Sequence, residues 1–344
     1  ARRERGREML WFIGRRAAIA VPTLVAISFI IFAILDLAPG DPTSHLPLTI
    51  PREVREQIRE SMGVNDPFLV KWLLWVKQVM IHEPISLIEQ LFNVQIGSGE
   101  RTRVISWQSR GPVVETIAER LPQTTWVMGL AFVFGILIAV PVGVISAYKQ
   151  YSVFDQIGTF VSMVGYSVPT FFTGLLAIVI FSVKLGWFPS YYDTTLEVTD
   201  WSSFVAQIKQ IVLPVGVLSM FNAAALSRFT RSSMLDNLSE DYVRTARSKG
   251  LKEKRVLVRH VLRNSLIPVV TLIALQVPGI FAGALITEQI FRINGIGHLL
   301  ISSIHGGDIP MVQTLSFLIA ALTVLFNLVA DVVYGMLDPR IRYD

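Results

Sequence analysis

Six stretches of this chain run for 18 residues or more without an Asp, Glu, Lys or Arg: 17–35, 121–148, 156–183, 210–227, 264–287 and 309–330. Bilayer hydrocarbon is about 30 Å thick, so a helix needs roughly 20 consecutive apolar residues to cross it. Inside hydrocarbon a backbone amide finds no water, and each stretch must satisfy its own hydrogen bonds as a helix. Helices of water-soluble domains average only about 11 to 12 residues. Six stretches of this length predict an all-α integral membrane protein with six transmembrane helices. Composition agrees, with 52% hydrophobic and 17% charged residues where a soluble domain carries roughly 25% charge. The absence of cysteine excludes disulfide frameworks, thiolate metal sites and cysteine nucleophiles.

Basic residues precede the first stretch as they would a secretory signal. Its 19 uncharged residues nevertheless exceed the usual apolar region of roughly 7 to 15, so we read 17–35 as a retained span.

Six alternating crossings divide the rest between two sides. One side holds 1–16, 149–155, 228–263 and the tail from 331, with 19 Lys and Arg in 73 residues; the other holds 36–120, 184–209 and 288–308, with 12 in 132. Basic residues concentrate on cytoplasmic loops, which places both termini in the cytoplasm. The sixth span is expected over 309–335 and a cytoplasmic C-terminus over 336–344. The net charge of +5 reflects this topology, and no aromatic-interleaved basic patch points to nucleic acid.

The external segment 36–120 holds 9 basic and 11 acidic residues and reads as a small ordered subdomain. Pro51, Val54, Ile58, Met62 and Gly63 have the spacing of a short amphipathic helix with a glycine stop. Asp66 and Pro67 are expected as N-cap and first residue of a second helix through Phe68, Leu69, Trp72, Leu73, Val76, Val79 and Met80. That helix, carrying Lys71 and Lys77, is expected on the external membrane surface with its lysine stems extended toward water. Whether the subdomain caps the bundle or docks a partner stays open.

The cytoplasmic segment 228–263 packs ten basic and four acidic residues into 36 positions. Ser239, Glu240 and Asp241 offer N-cap oxygens and first-turn negative charge. Tyr242, Ala246 and Gly250 share one helical face at i, i+4 and i+8, and the small residues there leave a shallow surface suited to close approach. A second helix from about Leu251 continues through Val256, Val258 and Leu262 into the fifth span.

The segment from Asp241 to Val269 resembles the cytoplasmic loop of binding-protein-dependent ABC importer permeases. That family's EAA signature falls here on Arg244, Thr245, Ala246, Gly250, His260, Leu262 and Arg263, and the second alanine, the glycine and the leucine match. DYVRTARSKGL followed by RHVLRNSLIPV is similar to the dipeptide, oligopeptide and nickel permease subfamily. So are LAPGDP at 37–42, RLPQT at 120–124, GYSVPTF at 165–171, the run at 288–313 and DVVYGMLDPRIR at 331–342.

The resemblance implies a type I importer permease that pairs with a homologous second permease, two ABC ATPase subunits, an external solute-binding protein and the lipid bilayer of a bacterial inner membrane. Asp241, Tyr242, Thr245, Ala246, Lys249, Gly250 and Leu251 would form the ATPase-coupling loop, with Tyr242 and Ala246 facing the ATPase cleft. Peptides would be the cargo, though nickel chelates, glutathione-like compounds and oligosaccharides fit the same subfamily. ATP and Mg would belong to the partners, since the chain has no Gly-Lys dipeptide and hence no phosphate loop. No cofactor is expected on this chain.

Pro22, Pro141, Pro169, Pro214, Pro268 and Pro278 stand inside the spans, where each removes a helical hydrogen bond; bundle curvature and gating both remain open. Gly279 and Gly283 form a GxxxG suited to helix packing, either static or sliding. Asp331 reads as a helix-end residue, with Asp338, Arg340 and Arg342 beyond it. A midplane without charge argues against an ion-coupled carrier. The five histidines show no metal-ligand spacing, and no GxSxG marks a serine nucleophile, so the chain reads as a conduit and not an enzyme.

Overall fold

The computed structural model describes residues 2–37, 50–61, 65–94, 96, 102–282 and 284–337. Met62, Gly63 and Gly283 lie outside them, as do Asp338, Arg340, Arg342 and the LAPGDP run beyond Leu37. In chain order the helices are α1 (Arg2–Asp36), α2 (Arg52–Ser61), α3 (68–92), α4 (Val113–Tyr148), α5 (Val153–Ser167) and α6 (Thr170–Lys184). They continue with α7 (Trp201–Leu238), α8 (Asp241–Ser248), α9 (253–282), α10 (Leu285–Phe291), α11 (Ile296–His305) and α12 (Ile309–Leu337). Among the described residues there is no strand, only an isolated bridge between Ile105 and Pro112.

Helices α1, α4, α7, α9 and α12 each contain a segment long and apolar enough to cross a membrane. The third charge-free stretch is different. It breaks into α5 and α6, which meet at 102°, so the single continuous span expected over 156–183 is replaced by a bent pair. The cause is local: Val168 precedes Pro169 and is pushed into extended backbone, at φ −84° and ψ 126°, because the proline ring excludes the helical region for its predecessor. Pro22, Pro141, Pro214, Pro268 and Pro278 sit inside continuing helices. The fifth stretch is also cut, since Ala284 is non-helical, at φ −98° and ψ 86°, and the residues from Leu285 belong to the separate α10.

Helix ends follow their caps and overrun the charge-free segments. Pro112 starts α4 well before residue 121, and a reciprocal pair of bonds between Asp200 and Ser203 starts α7 well before residue 210.

The centre of the molecule is the α4–α7 pair. Along α4, Ala131, Gly135, Ala139, Gly143 and Ala147 recur every fourth residue and are all buried. A Cβ added at Gly143 would stand 2.7 Å from the Ser227 carbonyl, and one at Gly135 would stand 3.0 Å from Asn222 Cβ. Small residues let two backbones meet, and dispersion then replaces the hydrophobic drive that lipid cannot supply. Gly279 does not do this: among the described residues outside its own helical turn, nothing lies within 4 Å of its would-be Cβ. The close approach within the chain therefore uses the period-four stripe on α4.

Helix α3 differs from its sequence reading. Pro67 is the N-cap without a side-chain bond, and the helix runs on to Phe92 through a π-helical stretch at Gln78–His82. Its aromatics pack into the bundle. Phe68 and Trp75 meet Phe32 of α1, and Trp75 also meets Phe317 of α12 edge-on at 5.5 Å. Lys71 pairs with Asp36 instead of reaching out to water.

Candidate functional site

Helix α8 is eight residues long, too short to hold its shape alone. What holds it is one apolar stripe. Val243 and Ala246 are buried in a cluster with Ala147 of α4, Met234 of α7, and Val256 and Val261 of α9. Fully burying a valine is worth about 1.5–3 kcal/mol, enough to dock a helix of two turns. Tyr242 is half-buried and donates its hydroxyl to Asn237 Oδ1 at 2.8 Å.

This orientation corrects the expected one. Ala246 and Tyr242 face the chain's own core, because Val243 and Ala246 form the apolar side of an ordinary amphipathic helix. The outward side is Asp241, Arg244, Thr245 and Ser248, all exposed. Lys249 and Gly250 are exposed at its end, and Leu251 packs against the cluster. The expected N-cap is also absent: Glu240 caps without a side-chain bond, and Ser239 instead donates to the Asp236 carbonyl.

Gly250 makes the turn for a backbone reason. Its φ is +73°, a region glycine enters without penalty. The Gly250 amide donates to the Arg247 carbonyl at 2.9 Å and the Leu251 amide to the Ala246 carbonyl at 3.4 Å, the paired bonds that close a helix at glycine. Arg247 and Glu253 bridge the turn at 2.6 Å, and the hydrogen bond to Glu253 holds the Arg247 guanidinium above its ordinary range.

A charged strut lies beside this platform. Asp155, buried in the first turn of α5, accepts two bonds from Arg231 of α7 at 2.7 and 2.8 Å. Planar two-point contact is the strongest form of such a pair. Ser162 and Ser227 meet farther along the same two helices at 3.1 Å, and Ser233 of α7 donates to the Ser265 carbonyl of α9 at 2.8 Å.

The far end of the bundle is tied differently. Glu288 of α10 is fully buried and, among the described residues, faces no cation; it accepts from Thr124 Oγ1 at 2.9 Å and from the His298 amide at 2.9 Å. Burial pushes its carboxyl above the ordinary carboxylate range, against the pull of those donors. Thr124 in turn accepts from the Ile296 amide at 2.7 Å. Gly295 closes on both side chains: a Cβ there would stand 2.3 Å from Thr124 Oγ1 and 2.6 Å from the Glu288 carboxylate. Asp308 accepts from the Trp107 amide at 3.0 Å and the Met311 amide at 3.3 Å, and from Ser106. Glu83 accepts from Arg103 at 2.9 Å and from the Val104 amide at 3.1 Å.

Sequence reading passed over Asp155, Arg231, Glu288 and Asp308. The available signal is that each bounds, or lies within four residues of, a charge-free stretch, where a carboxylate or guanidinium must find a partner or pay desolvation. Among the described residues no three His, Asp or Glu side chains gather as a metal site would require.

A bundle of helices long and apolar enough to cross a membrane, with a small amphipathic helix perched at one end, defines a multi-pass membrane protein. The chain belongs to the binding-protein-dependent transport system inner membrane components: that family matches residues 139–343, and its N-terminal region matches residues 9–128. It is 38% identical to the oligopeptide transport system permease protein AppB of Bacillus subtilis over 97% of this chain and 100% of that one. It is 35% identical to a putative peptide transport system permease protein of Brucella abortus, covering 98% and 100% of the two chains. Identity to the dipeptide transport system permease protein DppB of Escherichia coli is 34%, covering 97% and 99%.

Proposed function

We propose that this chain is one permease subunit of an ATP-driven peptide importer, with both termini in the cytoplasm of a bacterium. A homologous permease completes the pathway, two ATPase subunits hold ATP and Mg on the cytoplasmic side, and an external solute-binding protein delivers the peptide. The chain itself holds no cofactor and hydrolyses nothing. Its relatives carry peptide-transport names, which supports the cargo; the density of Lys and Arg around 228–263 supports the orientation.

The observation that carries this reading is α8. Its inner stripe is fixed to α4, α7 and α9, while Asp241, Arg244, Thr245 and Ser248 present a polar, two-turn outward face. A partner that grips that face moves three helices together, since α8 has no independent core. The Asp155–Arg231 strut extends the motion to α5.

Reconstitution tests it. Vesicles holding both permeases and the ATPases, supplied with ATP inside and loaded solute-binding protein outside, should take up peptide and hydrolyse ATP in proportion. Full-rate uptake with the ATPases omitted would overturn the reading.

A further inference from the structure

Arginine is costly in hydrocarbon and is found there paired or facing water. Arg231 is paired with Asp155. Arg228, one turn earlier on α7, is not: among the described residues its guanidinium has no carboxylate partner and lies 5.0 Å over the ring of Tyr166. Tyr166 is stacked on Phe221 at 6.0 Å and 8°, and is 53% exposed.

Depth follows from register. Helices α5 and α7 run antiparallel, with Asp155 opposite Arg231, Ser162 opposite Ser227, and Gly165 against Ala224. Tyr166 lies eleven residues beyond Asp155, about 16 Å along α5 at 1.5 Å per residue. The Arg228 stem therefore runs inward, away from the nearer interface, opposite to the direction a lipid-facing arginine takes to reach water. A guanidinium held there by ring faces keeps its N–H edge free, and that edge matches the two oxygens of a carboxylate.

We propose that Arg228, backed by Tyr166 and Phe221, binds the carboxylate of the transported solute partway through the translocation pathway. The assignment rests on the peptide-permease reading and names the group recognised, the free C-terminal carboxylate. Met220, 55% exposed on the same stretch of α7, gives the site an apolar flank that tolerates varied side chains. Arg228 is a single exposed cation, so the contact is strong enough to favour an anion and weak enough to release it.

The test uses the whole reconstituted transporter with solute-binding protein preloaded with trialanine or with its C-terminal amide. Wild type should carry the free acid about tenfold faster per ATP than the amide, the size of one charged hydrogen-bonded contact. Arg228→Ala should bring the acid down to the amide's rate and leave the amide within about twofold. Arg228→Gln, which keeps the stem and donors without the charge, should do the same and serves if the alanine variant fails to assemble. Equal loss for both peptides, as a strut against the second permease would give, or no loss at all, would overturn the site while leaving the peptide reading intact. A wild type that carries neither peptide would overturn both.

Discussion

The two ends of the α4–α7 pair are fastened by different chemistry. At the end near Thr124, carboxylates of Glu288, Asp308 and Glu83 each gather two or more donors, and Asp308 alone ties residues about 200 positions apart. At the end near Ala147, α8 rests on an apolar stripe, with side-chain bonds from Tyr242 to Asn237 and from Arg247 to Glu253. Buried polar networks demand exact partners and break together, whereas an apolar seat can slide or lift as a unit. The contrast teaches where rigidity resides: buried carboxylates clamp one end, while α8 at the other is seated mainly on apolar side chains.

Breaking the clamp should cost most. Glu288→Ala leaves the Thr124 hydroxyl and His298 amide without their acceptor and opens a void, and should lower global stability by about 3 kcal/mol, read as a lower melting temperature in detergent. Glu288→Gln keeps the shape and should lose far less. It should also remove a pH dependence. Because burial raises the folded carboxyl, the protonated folded form is favoured at low pH, and that stability is lost as pH rises from the ordinary range of about 4.3 through the folded value. The wild-type minus Gln difference in melting temperature should fall over that window and be flat above it.

Ala246→Arg attacks the other end. A guanidinium forced beside Val243 and Met234 should undock α8 at a cost of about 2 kcal/mol. The loss should be local: faster amide exchange across 241–251, a nearly unchanged global melt, and no coupled ATP hydrolysis. Exposed Thr245→Arg should shift stability by no more than about 0.5 kcal/mol yet lower uptake, because it changes only the face offered to a partner.

The difference between the ends also explains what the sequence disclosed. Spans are legible because hydrocarbon tolerates so little charge, and the bend at Val168 is legible in the Val-Pro pair. The stripe from Ala131 to Ala147 is written at period four, but small residues in an apolar helix look alike until a neighbour is known: among the described residues Gly143 meets α7 closely and Gly279 meets no other element. Helix α8 is the instructive case. Family resemblance points to its small residues as the contact surface, while the plain amphipathic pattern of Val243 and Ala246 against Asp241, Arg244, Thr245 and Ser248 gives the correct inner side. Glu288 and Asp308 were illegible as anchors because their partners lie 10 to about 200 residues away.

Adjacent residues allow the sharpest test. The chain has no cysteine, so Thr245→Cys and Ala246→Cys each introduce a unique thiol, one on the outer face of α8 and one beneath it. In the reconstituted transporter, Thr245→Cys should cross-link to an ATPase subunit in an ATP-dependent manner and Ala246→Cys should not. A cross-link from Ala246→Cys with Thr245→Cys silent would contradict the account, because the gripped surface would then be the one described here as the seat.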